Sequence, residues 1–226
     1  SRQRGIMDSH VPRSELTARM GRFKRRMEEQ KPDWEMAVIF GNINLYYLTG
    51  TMQDSMLCIP RDDEAVLWVR KSYERAKAES DFPVIKKMGS FRDAAKMYTN
   101  LPDTVYLETE IVPLGLYKRF SRHFPFTRVE SMDLDIAMVR AVKSQFELSL
   151  MERSGKIHAR VLEEYVPDML KEGMRESELA SSLYTLLVDE GHHGISRFGS
   201  FNTEMLLGQI GFGENSLYPT SFDGPG

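Results

Sequence analysis

Arg140-Ala141-Val142-Lys143-Ser144-Gln145-Phe146-Glu147 is the stretch that decides the fold of this chain of 226 residues. Ser144 and Glu147 have the spacing of a capping box. In that motif the Ser hydroxyl accepts from the amide of the third helical residue, and the Glu carboxylate accepts from the amide of the cap. A helix is therefore predicted to begin at this point.

A long amphipathic helix is predicted after the capping box. Pro167 should kink or end its last turn, and Gly173 should supply a left-handed break. A second helix is predicted from about Glu176 to Glu190, with Gly191 ending it. The first helix has one wide apolar face that is predicted to be buried, formed by Phe146, Leu148, Leu150, Met151, Ile157, Val161, Leu162, Tyr165, Val166 and Met169. The second is predicted to bury Leu179, Leu183, Leu186 and Leu187. Periodicity alone indicates a helical hairpin packed on a sheet, which needs no function.

Short strands alternate with helices in the residues before this stretch, which predicts an α/β domain. Residues 42–49 are predicted to be a polar turn. Strands are predicted at 36–40, 56–59, 65–69, 84–88, 105–107 and 129–131, and helices at 13–27, 73–79, 91–98, 114–124 and 132–139. The first helix has an apolar face of Leu16, Met20, Phe23 and Met27, and its cations Arg22, Lys24, Arg25 and Arg26 are predicted to form a solvated face.

Composition excludes several classes of partner. A net charge of -3 and a pI near 6.0 give no broad basic field, so neither nucleic acid nor an anionic membrane is expected. The single cysteine, Cys58, lies in an apolar run and is predicted to be a buried packing residue. With one cysteine no disulfide can form within the chain, which suits a reducing cytoplasm, so a cytoplasmic location is expected. No stretch approaches the roughly 18 apolar residues of a membrane span, so a soluble protein is expected. Residues 1–6, ahead of Met7, are expected to lie outside the fold as a leader or cloning remnant.

Two motifs carry a resemblance to a known family. The opening stretch, its helix and the turn Gly173-Met174 resemble the entry into the catalytic domain of the pita-bread metallopeptidases, which include Xaa-Pro aminopeptidases, prolidases and the non-peptidase creatinase. Arg175 stands where that family has a capping Thr, so the cap should be lost, although Glu178 still faces the helix dipole. Asn44-Leu45-Tyr46-Tyr47-Leu48-Thr49-Gly50 resembles the Asn-x-x-Tyr-Leu-Thr-Gly signature of the creatinase-type N-terminal domain. The two motifs stand in the family's order.

The resemblance implies a fold of the α/β (α+β) class in two parts. A creatinase-type N-terminal α/β domain would occupy residues 7–131 and a connecting helix residues 132–142. Residues 143–226 would be the first helices and strands of a truncated pita-bread domain. Strands are expected over 195–200 and 203–208.

The resemblance also implies chemistry for the parent protein. In the family, two Asp, one His and two Glu hold two divalent cations, Mn, Co or Zn, whose bridging water attacks a peptide carbonyl. All five ligands are expected to follow Gly226 in the parent. No catalytic and no metal residue is therefore expected among the 226 residues, the substrate-binding residues are unknown, and the chain alone should be inactive. The parent is expected to be a homodimer that cleaves short peptides with proline in second position.

Residues that could build a site from this chain alone have simpler explanations. His192 and His193, with His158 and Glu190 as possible helpers, are the only local concentration of metal-competent side chains, and a solvated loop explains them better. The sequence around Asp223, Phe222-Asp223-Gly224-Pro225, predicts a turn, whereas the family's first ligand lies in a strand. Helix capping is expected to explain Asp133 and Asp135, and hydration to explain Glu108 and Glu110.

One departure leaves the function open. The stretch Gly213-Glu214-Asn215-Ser216-Leu217-Tyr218-Pro219 resembles a family segment that continues with a substrate-contacting His, but Thr220 follows in this sequence. The first hypothesis is a Xaa-Pro aminopeptidase or prolidase. The alternative is a creatinase-like hydrolase or a metal-free binding protein. A stand-alone dimerisation module is disfavoured, because the strands from Ile195 onward would keep unpaired edges.

Overall fold

The computed structural model describes residues 10–191, 196–197, 204–205 and 210–217. The predictions on residues 1–6, His192, His193, Thr220 and Asp223 lie outside the described residues. The chain divides into two compact units that meet in sequence between Lys143 and Ser144.

The first unit is a six-stranded mixed sheet with helices, as the α/β prediction requires. Its elements are α1 (Arg13–Gln30), β1 (Met36–Ile39), α2 (Asn42–Thr49), β2 (Ser55–Pro60), β3 (Val66–Val69), α3 (Tyr73–Glu79), β4 (Ile85–Lys87), α4 (Phe91–Ala95), β5 (Thr104–Leu107), α5 (Leu114–Ser121), β6 (Arg128–Ser131) and α6 (Asp133–Ala141). The strand order is β4-β3-β2-β1-β5-β6. The hairpin of β2 and β3 is antiparallel, as predicted, β1 adds to it antiparallel, and the remaining pairings are parallel.

Burial follows the apolar patterns closely in this unit. All four residues of β1 are buried, which agrees with its continuous apolar run. Leu16, Phe23 and Met27 of α1 are buried as its periodicity predicts. A core cluster packs on one side of the sheet and includes Met36, Val38, Cys58, Trp68, Val105, Leu107, Phe120 and Phe124.

The prediction that residues 42–49 form a turn is wrong, because they form α2. The segment is short and its polar residues resemble a turn, but the packed core decides: Leu45, Tyr47 and Leu48 are buried. Gly50 ends the helix with φ at 79°, the left-handed conformation that glycine tolerates.

The prediction of a solvated cationic face on α1 is wrong for three of its four residues. Lys24 Nζ donates to the carbonyls of Arg61 and Asp63 at 3.1 and 3.0 Å. Arg26 Nε lies 3.0 Å from Asp135 Oδ1, and Arg22 Nη2 lies 3.3 Å from the Tyr47 hydroxyl. Helical periodicity could not predict these contacts, because the partners come from distant parts of the chain. Arg25 is exposed, as expected.

The second unit contains the predicted helical hairpin. Its described elements are α7 (Gln145–Arg160), a π-helical segment (Val161–Tyr165), α8 (Val166–Met169), α9 (Glu176–Asp189), β7 (Ser196–Arg197), β8 (Glu204–Met205) and a 3₁₀ turn (Gly213–Leu217). The capping box is confirmed: Glu147 N donates to Ser144 Oγ at 3.1 Å, and Ser144 N donates to Glu147 Oε2 at 2.9 Å. Gly173 has φ at 79°, so the predicted left-handed break is also confirmed.

Pro167 ends the long helix in the expected region. The π-helical segment directly precedes α8, in which Pro167 lies in the first turn, and the helix ends at Met169. A proline removes one amide donor and crowds the carbonyl of the preceding turn, and a wider turn relieves both effects. Arg175 offers no acceptor to cap α9, and only the Glu178 half of a capping box forms, with Arg175 N donating to Glu178 Oε2 at 2.8 Å.

The prediction that the apolar face of the first long helix is buried is wrong for the described structure. Leu148, Met151 and Leu162 keep 44%, 57% and 62% of their surface exposed, whereas Val161 is buried. The described elements of the second unit beyond this helix are α9, two paired residues in each of β7 and β8, and the 3₁₀ turn, and together they leave these side chains exposed. On α9, Leu179 is buried and Leu183, Leu186 and Leu187 are half-buried.

Among the described residues, no helix has the length and apolar character needed to cross a membrane.

Cys58 provides a test of the core. The thiol is fully buried, and burial raises its pKa to about 12. Because thiolates are the reacting species, we expect an aromatic disulfide reagent at pH 8 to label the folded chain at least about a hundredfold more slowly than a free thiol. The same reagent in urea should label this single cysteine completely. Rapid labelling of a chain with native circular dichroism would contradict the packing of β2.

Candidate functional site

The carboxyl ends of two parallel strands of the first unit, β1 and β5, meet at a buried polar region. Phe40 and Gly41 follow β1, Glu108 follows β5, and α2 begins at the same place. In open α/β sheets, ligands commonly bind outside the carboxyl ends of parallel strands. The topology therefore makes the carboxyl ends of β1 and β5 the expected place for a ligand site.

Glu108 occupies this position with its own carboxylate. Its side chain is fully buried, at 0% exposure. Oε1 accepts from the amides of Phe40 at 2.7 Å and Gly41 at 2.9 Å, and Oε2 accepts from Asn44 Nδ2 at 2.6 Å. The prediction that hydration explains Glu108 is wrong, because these protein donors replace water.

Arg140 completes the cluster from the end of α6. Its Nη1 donates to Asn44 Oδ1 at 3.1 Å, so the Asn44 amide presents its oxygen to Arg140 and its nitrogen to Glu108. The two sequence motifs, one beginning at Asn44 and the other at Arg140, are thus joined through one side-chain amide. We refer to the buried Asn44 and Glu108, together with the half-buried Arg140, as the buried polar cluster.

Gly41 makes room for the carboxylate. A Cβ built on this residue would lie 2.5 Å from Glu108 Oε2, closer than any real contact of that kind. Its φ of -66° is ordinary for any residue, so steric room and not backbone conformation requires glycine at this position.

The electrostatics of the cluster favour a structural role. Burial raises the pKa of Glu108, and the hydrogen bonds from Gly41, Asn44 and Phe40 oppose that rise. Because the carboxylate lies at the amino end of α2, it takes the position in which a helix dipole would favour an external anion. The crevice is therefore filled from within, and the donors of Phe40, Gly41 and Asn44 already have their acceptor.

The two aspartates of α6 do not cap their own helix, so that prediction is wrong. Asp133 accepts from Thr109 Oγ1 at 3.0 Å and from Ser131 Oγ at 2.7 Å, which ties α6 to the ends of β5 and β6. Asp135 is 4% exposed and pairs with Arg26. Long-range partners, invisible to local spacing, again determine the role. Glu110 is exposed, as expected.

The ion pair of Arg26 and Asp135 should contribute far more to the free energy of unfolding than an exposed ion pair does. We expect Asp135→Asn to lower the free energy of unfolding by about 1–3 kcal/mol, because it leaves Arg26 facing a neutral group in a half-buried setting. The matched control is Asp54→Asn, which breaks the exposed pair with Arg70 and should cost less than about 0.5 kcal/mol. Urea titration measures both, and equal costs would contradict the assignment.

Among the residues that the structure describes, the metal-competent side chains do not gather into a site. Glu190 pairs with Arg160, and His158 is exposed on α7. Within residues 10–191 and the short described segments beyond them, no three His, Cys, Asp or Glu side chains are arranged to hold a metal ion. The described residues therefore do not fit a two-metal centre, and no catalytic step is assigned to them.

A cavity of about 530 Å³ lies elsewhere, near the start of β1 and the end of β2. Its lining shares no residue with the buried polar cluster, and Arg61 in its wall donates instead to the carbonyls of Pro32 and Trp34. Nothing in the geometry of the cavity identifies a ligand. Its lining consists of Glu35, Met36, Pro60, Arg61, Asp62, Asp63, Met97, Tyr98, Thr99, Asn100, Leu101 and Pro102.

The sequence of this chain is similar to those of known proteins. The family model of the creatinase/prolidase N-terminal domain matches residues 19–142. A Xaa-Pro dipeptidase of Pyrococcus furiosus is 27% identical over 179 residues, covering 78% of this chain and 49% of that protein. An uncharacterized peptidase of Staphylococcus aureus strain USA300 is 25% identical over 175 residues, covering 74% of this chain and 48% of that protein. The chain spans about half the length of these curated relatives.

Solved structures share the fold. The prolidase from Pyrococcus horikoshii OT3 superposes with a TM-score of 0.67 at 21% identity, covering 78% of this chain and 50% of that one. The X-Pro aminopeptidase from Thermotoga maritima MSB8 gives 0.66 at 24% identity, covering 79% and 51%. At these identities the likeness establishes the fold.

Proposed function

The chain belongs to the creatinase/prolidase N-terminal domain family, and from that we propose that it is the front part of a peptidase that cleaves the bond before proline. The observation that carries the proposal is the extent of the match to the Pyrococcus furiosus Xaa-Pro dipeptidase. The match covers 78% of the chain. Residues 1–142, which end where the family model ends, make up a smaller share of the chain than that. The likeness therefore reaches into the second unit.

The first unit, in this proposal, supplies no catalytic group. Its most deeply buried carboxylate, Glu108, is held by protein donors on both of its oxygens. Residues 7–131 with the helix 132–142 would form the N-terminal domain, and residues 143–226 would begin the catalytic domain. The two divalent ions of the family, Mn, Co or Zn, would be held by residues outside the described part of the chain, and the 226 residues alone would be inactive.

The proposed substrate is a short peptide with proline in second position. An Xaa-Pro bond is a tertiary amide without an N–H, so peptidases that bind that donor fit it poorly and a dedicated enzyme is needed. A homodimer is proposed from the family resemblance, and a cytoplasmic location from the single cysteine. With a net charge of -3, neither nucleic acid nor membrane is proposed as a partner.

The test uses the full-length protein that contains this sequence. With added Mn²⁺ it should hydrolyse Ala-Pro or Gly-Pro peptides, spare Ala-Ala, and lose activity in EDTA with recovery on adding metal back. The 226-residue chain is the matched control and should be inactive under the same conditions.

The alternative rests on Thr220, which stands where the family has a His. A full-length protein that folds and binds Mn²⁺ but leaves Xaa-Pro peptides intact would overturn the peptidase proposal. Hydrolysis of creatine would then indicate a creatinase-like enzyme, and absence of both activities a binding protein.

A further inference from the structure

The strand β6 forms one edge of the six-stranded sheet, beside β5. Arg128, Glu130 and Ser131 are exposed on it, and Val129 is half-buried against the core. An open edge presents backbone donors and acceptors to any strand that can approach. What can approach depends on the backbone geometry and on the charges along the edge.

The backbone of β6 turns alternate residues toward β5. Arg128 N donates to Asp103 O at 3.0 Å, and Met132 N donates to Leu107 O at 3.0 Å. In a parallel pair, the residues between such donors direct both backbone groups to the other side. Val129 and Ser131 therefore present their N–H and C=O groups outward, at the free edge.

The charges of β6 are complementary to those of a second copy. If two β6 strands pair antiparallel about Val129, Arg128 of each lies directly opposite Glu130 of the other. Directly opposite residues share a face of the sheet and interact, so both pairs are attractive. Charges on an edge usually repel foreign strands. Arg128 and Glu130, two residues apart, still discourage foreign strands from pairing with β6. They favour the antiparallel pairing of two β6 strands about Val129.

The other edge has the opposite property. The strand β4 reads Ile85-Lys86-Lys87, and because Met88 N donates to Val69 O, Lys87 presents its backbone groups outward. Antiparallel pairing of two copies about Lys87 sets Lys87 against Lys87. Like charges directly opposite are destabilising. Since β4 contains no acidic residue, no pairing of its three residues with a second copy sets opposite charges against each other, in contrast to β6.

We propose that β6 is a self-pairing edge, through which two copies of this chain join their sheets about Val129. The inference deepens the proposed homodimer by naming its surface, and it does not depend on peptidase activity. Four residues of strand form a small interface, so the association is expected to be weak and concentration-dependent.

The test is a charge-swap series measured by sedimentation velocity on the 226-residue chain and on the full-length protein. Arg128→Glu and Glu130→Arg should each weaken self-association by about tenfold or more, because each places like charges opposite one another twice. The combined Arg128→Glu/Glu130→Arg variant restores opposite charges and should restore the wild-type affinity. Lys87→Glu on β4 is the matched control and should leave association unchanged.

Hydrogen exchange gives a second readout. The Val129 amide should become better protected as protein concentration rises, and Arg128→Glu should remove that dependence. Circular dichroism should stay native throughout, since both charged side chains are exposed. A monomer at all concentrations, or a dimer that tolerates both single reversals, overturns the proposal. The second result would leave the homodimer and the peptidase assignment intact and place the interface elsewhere.

Discussion

Glu108→Gln should lower the free energy of unfolding of the first unit by about 2–3 kcal/mol, although it preserves the shape of the side chain. Either orientation of the new amide sets its NH₂ against an existing donor, Asn44 Nδ2 on one side or the amides of Phe40 and Gly41 on the other. Asn44 cannot simply turn over, because Arg140 donates to its oxygen. Trp34 and Trp68, both buried in this unit, report the transition by fluorescence in urea.

A paired substitution separates this cause from general disruption. Asn44→Asp alone should be at least as harmful, since it sets two carboxylates together. Combined with Glu108→Gln it restores an acceptor for both Arg140 and the new amide, so the double variant should recover at least about 1 kcal/mol over the sum of the single costs. Strict additivity would contradict the proposed hydrogen-bond directions. Glu110→Gln, on an exposed neighbour, is the control and should stay within about 0.5 kcal/mol of wild type.

The same cluster should give a measurable dependence on pH. Burial raises the pKa of Glu108 in the folded state above its ordinary value, so the folded state binds this proton more tightly than the unfolded state does. The contribution of Glu108 to stability is therefore greatest below the ordinary carboxyl pKa and declines as pH rises through the raised one. The cost of Glu108→Gln should accordingly be larger at pH 5 than at pH 8.

Gly41→Ala should be the most damaging methyl addition in the first unit. The added carbon would lie 2.5 Å from Glu108 Oε2, and the carboxylate cannot move without losing its donors. We expect a loss of about 3–5 kcal/mol, or failure to fold. Gly21→Ala in α1 is the matched control: its Cβ would meet only the flexible end of Arg25 at 3.6 Å, so it should be neutral or stabilising by up to about 1 kcal/mol.

Removing the carboxylate tests the steric cause of this effect. In a Glu108→Ala background the clash no longer exists, so adding Gly41→Ala should cost little beyond Glu108→Ala alone. If Gly41→Ala costs as much in that background as in wild type, the requirement for glycine comes from another source. If either single variant fails to fold, soluble yield supplies the comparison between the Gly41→Ala/Glu108→Ala and Gly41→Ala/Glu108→Gln double variants. Only the second keeps the side-chain volume at position 108, so it should give the lower yield.

Local signals predicted the parts of the fold that depend on neighbours in sequence. The capping box of Ser144 and Glu147, the hairpin of β2 and β3, and the left-handed break at Gly173 all follow from residues close together in the chain. The buried polar cluster could not be found in this way. Asn44, Glu108 and Arg140 are each ordinary in their own segments, and only the parallel pairing of β1 with β5 brings them together.

The failures have the same physical origin. The segment that forms α2 resembles a turn because its polar residues serve partners far along the chain, and the cations of α1 resemble a solvated face because Asp135 is 109 residues from Arg26. The exposed apolar face of α7 is the converse case. Its periodicity predicted burial, yet Leu148, Met151 and Leu162 are exposed in the described structure. A pattern of apolar residues does not say which part of a protein would cover them.

The contact between Asn44 and Arg140 also bears on where this module can be cut. A fragment ending at Ser131 would retain every strand of the six-stranded sheet yet lose Arg140, Asp135 and the rest of α6, so Asn44 and Arg26 would lose those contacts. A genetic exchange that moves the first unit between proteins would preserve it intact only if the crossover falls after Arg140. For such an exchange, α6 must be inherited together with the first unit.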